Sequence, residues 1–333
     1  MTTPDLLAAL HEVAVDTGFS GVVSVHADGG PASTAAFGPA DRATGRAMTE
    51  GTRLAIASGT KTFTALAVLR LVDRGVLTLD APVRTWLGAD LPEIDDAVTI
   101  GQLLAHRSGI GDYFDESETD HEEFALPVPA ADLVDPEDWL PVLAGHPMAG
   151  RPGNDFAYNN GGYVVLALVT ERASGRPYRD LIGEICDRAG MTDTRFHPND
   201  ESGPDFATGY LDDGRTNVSL MPRYGCGDGG LSTTVADVDR FWRAMDDGRL
   251  LAPGTLTAMT SAHSGDPDSG RRYGLGVWLP PEGPDVIMEG CDAGISFRSA
   301  HDPTTGRTWT VIGNTTDGAW PVARVLADAF ASA

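Results

Sequence analysis

IASGTKTFTALAVLRLVDRG, residues 56–75, decides the fold. From Ser58 to Arg74 it reads as one strong helix. Phe63, Leu66, Ala67, Leu69, Leu71 and Val72 leave few polar positions, so the helix is apolar nearly all round and belongs in a core. Gly75 stops it. Inside this apolar stretch stands Lys61, the only lysine among 24 basic residues, the other 23 being arginine. Arginine cannot give up its proton in a protein, whereas a buried lysine can. Three residues upstream, one helical turn away on the same face, is Ser58. It sits at the positive end of the helix dipole, where an oxyanion is favoured. Burial lowers a lysine pKa, which makes Lys61 a proton acceptor for the serine. A serine at this offset from a lysine arises by chance about once in fifteen times, so the pair needs partners.

Working outward, Thr3 to Asp16 reads as an amphipathic helix with Leu6, Leu7, Leu10 and Val13 on one face. Phe19 to Ala27 reads as a strand, followed by a turn at Asp28-Gly29-Gly30 and a second strand over Ser33 to Phe37. Helices are expected over Thr99 to Ala105, Asn160 to Ala173, Tyr178 to Ala189, Thr234 to Asp246 and Pro253 to Ser261. The acidic segment Asp112 to Asp138 reads as a surface excursion or lid. From Tyr273, the runs YGLGVWL, DVIME, ISFRSA and RTWTVIGN have the pattern of an antiparallel sheet, and Pro321 to Ala331 closes as a helix. Strands at both ends and helices between them predict an α/β (α+β) fold. An antiparallel sheet is built from both termini and flanked by helices, with a mainly α-helical region inserted. The expected division is 1–52 with 233–333 for the sheet part and 53–232 for the helical part, with the active site between.

Composition narrows the function. The chain has 333 residues, 41% of them hydrophobic and 22% charged, ample for a core without staples. A formal charge of -24 repels phosphate backbones and anionic lipid, so nucleic-acid and membrane-surface partners are excluded. Cys186, Cys226 and Cys291 are far apart and odd in number, which points to free thiols. The start has no basic n-region and no continuous apolar run, so the expected location is the cytoplasm. The eight histidines show no HxH or HExxH spacing, so no metal is expected. GCGDGG, residues 225–230, is not GxGxxG and reads as a tight turn, with an active-site wall as the alternative.

The partners of Ser58 and Lys61 appear in Tyr158-Asn159-Asn160, at the entrance to the next helix. The phenol can share the serine proton, and the amide can hold the lysine and a substrate carbonyl. With SGTK and YNN, the stretches VTIGQLLAHRSGIGDY from Val98 and RPGNDFAYNNGGYVVLALVTERASGRPY from Arg151 complete a resemblance. GMTDTRF from Gly190, GDGGLSTTVADVDRF from Gly227 and YGLGV from Tyr273 extend it. The chain resembles the class C β-lactamases, D-alanyl-D-alanine carboxypeptidases and related esterases over nearly its whole length. The resemblance implies a β-lactamase/transpeptidase-like fold and a cofactor-free serine hydrolase. It further implies an acyl-enzyme on Ser58, proton transfer by Lys61 and Tyr158, and Asn160 positioning the lysine and the acyl group. His106, in the HRSG turn, is implied to be structural. The implied substrate is a small ester, amide or β-lactam.

The third motif of that family, Lys-Thr-Gly or His-x-Gly, departs here. In Gly290-Cys291-Asp292-Ala293-Gly294-Ile295-Ser296-Phe297, Cys291 stands for the basic residue and Ala293 for the glycine. A neutral thiol cannot bind a substrate carboxylate, and Arg298 on the same strand is the candidate to compensate. The expected substrate-binding set is Asn160, Cys291, Asp292, Gly294 and Arg298. The oxyanion hole is expected from the backbone N–H group of Ser58 and, as the resemblance implies, that of Gly294. The alternative expectation is a degenerate member that binds a ligand without efficient turnover.

Overall fold

The computed structural model describes residues 3–27, 30–116, 119–199 and 203–331. The expected turn residues Asp28 and Gly29 lie outside the described residues. Eight strands form the main sheet: β1 Gly21–His26, β2 Ser33–Phe37, β3 Ser264–Gly265, β4 Arg272–Tyr273, β5 Trp278–Leu279, β6 Val286–Asp292, β7 Ile295–Asp302 and β8 Arg307–Gly313. Their order is β2-β1-β8-β7-β6-β5-β4-β3, with every neighbour antiparallel. The first and last parts of the chain therefore meet where β1 pairs β8, Val22 opposite Ile312 and Val25 opposite Trp309.

The two-residue period of the strands gives the sheet two apolar faces. On one face Val23, Val25, Trp309 and Val311 pack with Leu6 and Leu10 of helix α1 (Thr3–Thr17) and Val322 and Leu326 of the closing helix (Ala319–Ala331). On the other, Val22, Met288, Phe297 and Ile312 join the main core, which includes Phe63 of α2 (Thr60–Asp73). The long helices of the middle region are α3 (Asn160–Ser174) and α4 (Tyr178–Ala189). Both end on a left-handed glycine, Gly175 and Gly190, which can take that conformation without a Cβ clash.

α2 is buried at every position from Thr60 to Leu71, as its all-round apolar sequence requires. It starts later than expected: Ala57–Gly59 is a 3-10 turn, and Ala57 holds the left-handed φ of 44°. That bend turns Ser58 out of the helix axis toward the sheet. A three-stranded sheet of Leu54–Ala55, Leu231–Thr233 and Arg195–Phe196 was not expected, because two- and three-residue strands carry no periodicity. The described residues of Asp112 to Asp138 are mostly exposed or half-buried, in keeping with a surface excursion or lid. Phe114 and Leu133 are buried in it, and it forms a wall of the central cavity. Among the described residues, no helix is long and apolar enough to cross a membrane and no group of side chains could hold a metal ion.

Candidate active site

Ser58 stands where the α2 turn meets the edge of the main sheet. A Cβ on Gly290 of β6 would lie 2.8 Å from both Ser58 N and Gly59 N, and closer still to Ile56 O. A Cβ on Gly59 would press on the Phe297 ring at 2.6 Å. Strand and turn can approach this closely only because both positions lack a side chain.

Lys61 is 2% exposed, and its Nζ makes three contacts. It donates to Ser58 Oγ at 2.9 Å, to Asn160 Oδ1 at 2.7 Å and to the Asp228 carbonyl at 3.0 Å. Two of these partners can only accept. The third, the serine hydroxyl, can also donate, so the neutral amine has its lone pair free for the serine proton. Burial lowers the Lys61 pKa, and the carboxylates of Asp228, Glu116, Asp112 and Asp292 oppose that shift without cancelling it. The Tyr158 ring stands beside this pair, with Lys61 Nζ 5.0 Å from its centroid. Burial, with the charge of Glu116, drives the Tyr158 phenol well above its ordinary pKa, so it stays protonated. The structure thus brings the sequence-derived trio together, Lys61 hydrogen-bonded to Ser58 and the Tyr158 ring beside the amine.

Asn160 reaches Lys61 as expected, but its amide N–H groups are engaged with the protein. They donate to the Phe114 carbonyl and to Glu116 Oε1, each at 3.0 Å. Asn160 therefore ties the lysine to the cavity wall rather than turning its amide to an acyl group. His106 is structural in position. It is 1% exposed, its Nδ1 accepts the Asn159 N–H at 3.1 Å, and its ring lies 4.3 Å from that of Tyr158. Burial holds it well below its ordinary pKa, so it is neutral.

The third motif is corrected most. Asn314 N donates to Ser20 O, next to the Gly21–Gly313 pair, which fixes the phase of the antiparallel ladders. Carried through β8 and β7 to β6, that alternation turns the N–H groups of Asp292, Gly290 and Met288 toward β7. The Cys291 N–H points the other way, to the open edge beside Ser58. The two donors facing the serine are the N–H groups of Ser58 and Cys291. Gly294 cannot supply the second, because its N–H donates to Thr316 Oγ1 at 2.9 Å and its φ of +69° serves the hairpin turn.

Cys291 and Gly290 alternate across the strand, so the thiol faces away from the serine and donates to the Thr316 carbonyl at 3.5 Å. Burial pushes that thiol up to about 12. The expectation of a pocket-facing side chain there does not hold. Arg298 does not compensate either: its guanidinium is paired with Glu289 and lies over the Trp320 ring. Asp292 does line the cavity, with its Oδ1 accepting the Ala293 N–H at 2.8 Å and lying 3.7 Å from His121 Nδ1.

The cavity has a volume of about 650 Å³ and is bounded by Tyr113, Phe114, Phe124, Trp139, Phe206 and Met221 among others. The sequence reading passed over Asp228, which is 8% exposed, lines this cavity and accepts a hydrogen bond from Tyr113. It also passed over Asp112, which caps α3 by accepting the Asn160 and Gly161 N–H groups at 2.6 and 2.8 Å. Burial raises the Asp112 carboxyl to about 6. The available signal was the glycine density of residues 225–230. A Cβ on Gly225 or Gly230 would strike the other arm of the same loop, so the segment is the tight turn expected, and a Cβ on Gly227 would strike Tyr163 O, so that turn is also pressed against α3.

A helical region laid against an antiparallel sheet, with a Ser-x-x-Lys turn at the junction, is the architecture of the β-lactamase/transpeptidase-like proteins. The chain belongs to the beta-lactamase family, whose model matches residues 7–327. It superposes on a penicillin binding protein from Bacillus halodurans with a TM-score of 0.90 at 34% identity, covering 96% of this chain and 99% of that one. It superposes on a D-amino acid amidase from Ochrobactrum anthropi with a TM-score of 0.80 at 26% identity, covering 98% and 99%. Esterase EstB of Burkholderia gladioli is 40% identical over 172 residues, 48% of this chain and 43% of that protein. The matched stretches span 43–63% of the length of the first curated relatives.

Proposed function

We propose that the chain hydrolyses small esters or amides through an acyl-enzyme on Ser58. The observation that carries this reading is the 2.9 Å contact between Lys61 Nζ and Ser58 Oγ, with the amine buried and fixed by Asn160 and Asp228. Ser58 Oγ attacks the carbonyl carbon while Lys61 takes its proton. The oxyanion that forms accepts the N–H groups of Ser58 and Cys291. Tyr158 donates its phenolic proton to the leaving oxygen or nitrogen and is reprotonated by the Lys61 ammonium. Water then attacks the acyl carbon, gives its proton to the same pair, and releases the acid with Ser58 restored.

Esters and amides fit better than β-lactams with an obligatory carboxylate. The motif cation is absent, and both nearby arginines on the sheet edge, Arg271 and Arg298, are paired with Glu289. The names of EstB as an esterase and of the Ochrobactrum protein as an amidase support the same direction. The test is turnover of a panel of p-nitrophenyl esters and amino-acid p-nitroanilides by wild type and Ser58→Ala. The reading expects multiple turnovers on at least one of them, abolished in Ser58→Ala. Stoichiometric labelling of Ser58 without turnover would favour the degenerate binder instead.

A further inference from the structure

We infer that His106 is a positioning residue for the proton donor: it grips the chain on both sides of Tyr158, packs on its ring, and so holds the phenol where the leaving atom departs. The inference rests on the proposed acyl-enzyme reading, in which Tyr158 protonates that atom. The His106 carbonyl accepts the Ala157 N–H at 2.9 Å, and its ring Nδ1 accepts the Asn159 N–H at 3.1 Å. Both chain neighbours of Tyr158 are thus tied to one residue, whose imidazole lies 4.3 Å from the phenol ring. The Asn159 side chain continues the tie, donating to the Ile110 carbonyl at 3.0 Å and accepting the Gly162 N–H of α3 at 2.6 Å. Lys61 Nζ lies 5.0 Å from the Tyr158 ring centroid, so any shift of that ring is a shift relative to the Ser58–Lys61 pair.

Packing alone does not account for an imidazole here. Nδ1 accepts a hydrogen bond, so the ring proton is on Nε2. That nitrogen is buried with no hydrogen-bond partner among the described residues, and the rings of Tyr273, Tyr163 and Phe156 lie 4.7, 5.0 and 5.8 Å from the imidazole. A buried N–H left unpaired costs free energy, and a non-glycine residue held at a φ of 53° adds strain. A phenyl ring would fill the same aromatic surroundings without the unpaired N–H. What it cannot do is accept the Asn159 N–H. An imidazolium could not accept it either, because both of its nitrogens carry protons. The neutral imidazole is the ring that packs on Tyr158 and also fixes the backbone beside it.

The experiment measures kcat/KM on two esters of one acyl group, an ethyl ester and a p-nitrophenyl ester. Ethoxide must be protonated to leave, whereas p-nitrophenolate leaves as the anion, so the ethyl ester depends far more on Tyr158. His106→Phe keeps a ring and removes the acceptor. It should lose at least about tenfold on the ethyl ester and under about threefold on the p-nitrophenyl ester, within the roughly 10²-fold that a misplaced group can cost. His106→Asn restores a side-chain acceptor and tolerates the left-handed φ, so it should regain most of the ethyl-ester loss. In a Tyr158→Phe background, His106→Phe should add less than about twofold. With the folded fraction controlled, an unchanged ratio between the two esters in His106→Phe, or its full loss repeated in the Tyr158→Phe background, overturns the inference, since a merely structural role would give both. Should His106→Phe fail to fold, nitrogen-15 NMR of the wild-type histidines decides. One of the eight imidazoles should keep a bare Nδ1 and a protonated Nε2 from pH 8 to pH 5. If all eight are imidazolium by pH 5, none accepts the Asn159 N–H and the inference falls. Full ethyl-ester hydrolysis by Tyr158→Phe, or hydrolysis that survives Ser58→Ala, would instead sink the acyl-enzyme reading, so the two failures are distinct.

Discussion

Gly290→Ala is the sharpest perturbation of the serine's surroundings that leaves every catalytic side chain in place. The added methyl carbon would lie 2.8 Å from Ser58 N and Gly59 N, and nearer still to Ile56 O. All three atoms are backbone, so no side chain can rotate aside. Reaching an ordinary contact of roughly 3.5 Å requires β6 to move about 0.7 Å from the two nitrogens and about 1.4 Å from Ile56 O. Overpacking of this kind costs about 1–3 kcal/mol, which at about 2–4 °C per kcal/mol lowers Tm by roughly 2–12 °C. The larger effect is on the oxyanion hole. Its two donors, Ser58 N–H and Cys291 N–H, belong to the two elements being pushed apart. Loss of one aligned donor costs about 10²–10³ in rate. The assay is kcat/KM on an activated ester, with the folded fraction set by circular dichroism. Gly254→Ala is the control, because a Cβ there meets nothing within 4 Å. A Gly290→Ala protein with Tm within about 1 °C of wild type and kcat/KM within about threefold would refute the claim that β6 and the serine turn jointly build the hole.

Three further outcomes are expected. Lys61→Arg should fold yet lose at least about a hundredfold in turnover, because the guanidinium is bulkier and cannot act as a base; near-wild-type kcat would reduce Lys61 to a structural charge. Cys291→Ala should keep ester hydrolysis within about threefold, because that residue acts through its backbone N–H and its thiol faces Thr316. A much larger loss would return the thiol to the pocket. Glu184→Gln should destabilise the fold by about 1 kcal/mol at pH 7, a figure discounted for partial exposure. Arg176, Arg70 and Arg74 hold that carboxyl at about 2. A depressed carboxyl contributes stability above its unfolded value near 4.5 and loses it as pH falls toward 2. Urea midpoints of the two proteins should therefore draw together from about pH 5 downward and meet near pH 2, and a constant gap would contradict the assignment.

Long-range order was readable because its signals are periodic and local. α2 is apolar on all sides and had to be central; YNN sits at the start of α3, where a capping Asn159 and buried helix positions leave little freedom. The antiparallel hairpins of β6, β7 and β8 followed from short apolar runs and turns. The third motif misled for a physical reason. Motif alignment assigned Cys291 by sequence neighbours, but in a strand a one-residue offset exchanges pocket and back face. Only the contact of Gly290 with Ser58 N, and the ladder phase set at Ser20 and Asn314, fix that offset. Asp112, Glu116 and Asp228 were invisible for another reason. They act from loops, through single hydrogen bonds to Asn160, Gly161 and Tyr113 that leave no spacing rule.

The central claim is that Ser58 is the nucleophile. Intact-mass analysis after brief reaction with a fluorophosphonate, followed by peptide mapping, tests it most directly. One adduct per chain should appear on the peptide carrying Ser58, be absent in Ser58→Ala, and form far more slowly in Lys61→Arg. Equal labelling of Ser58→Ala, or an adduct mapped to another residue, would contradict the account.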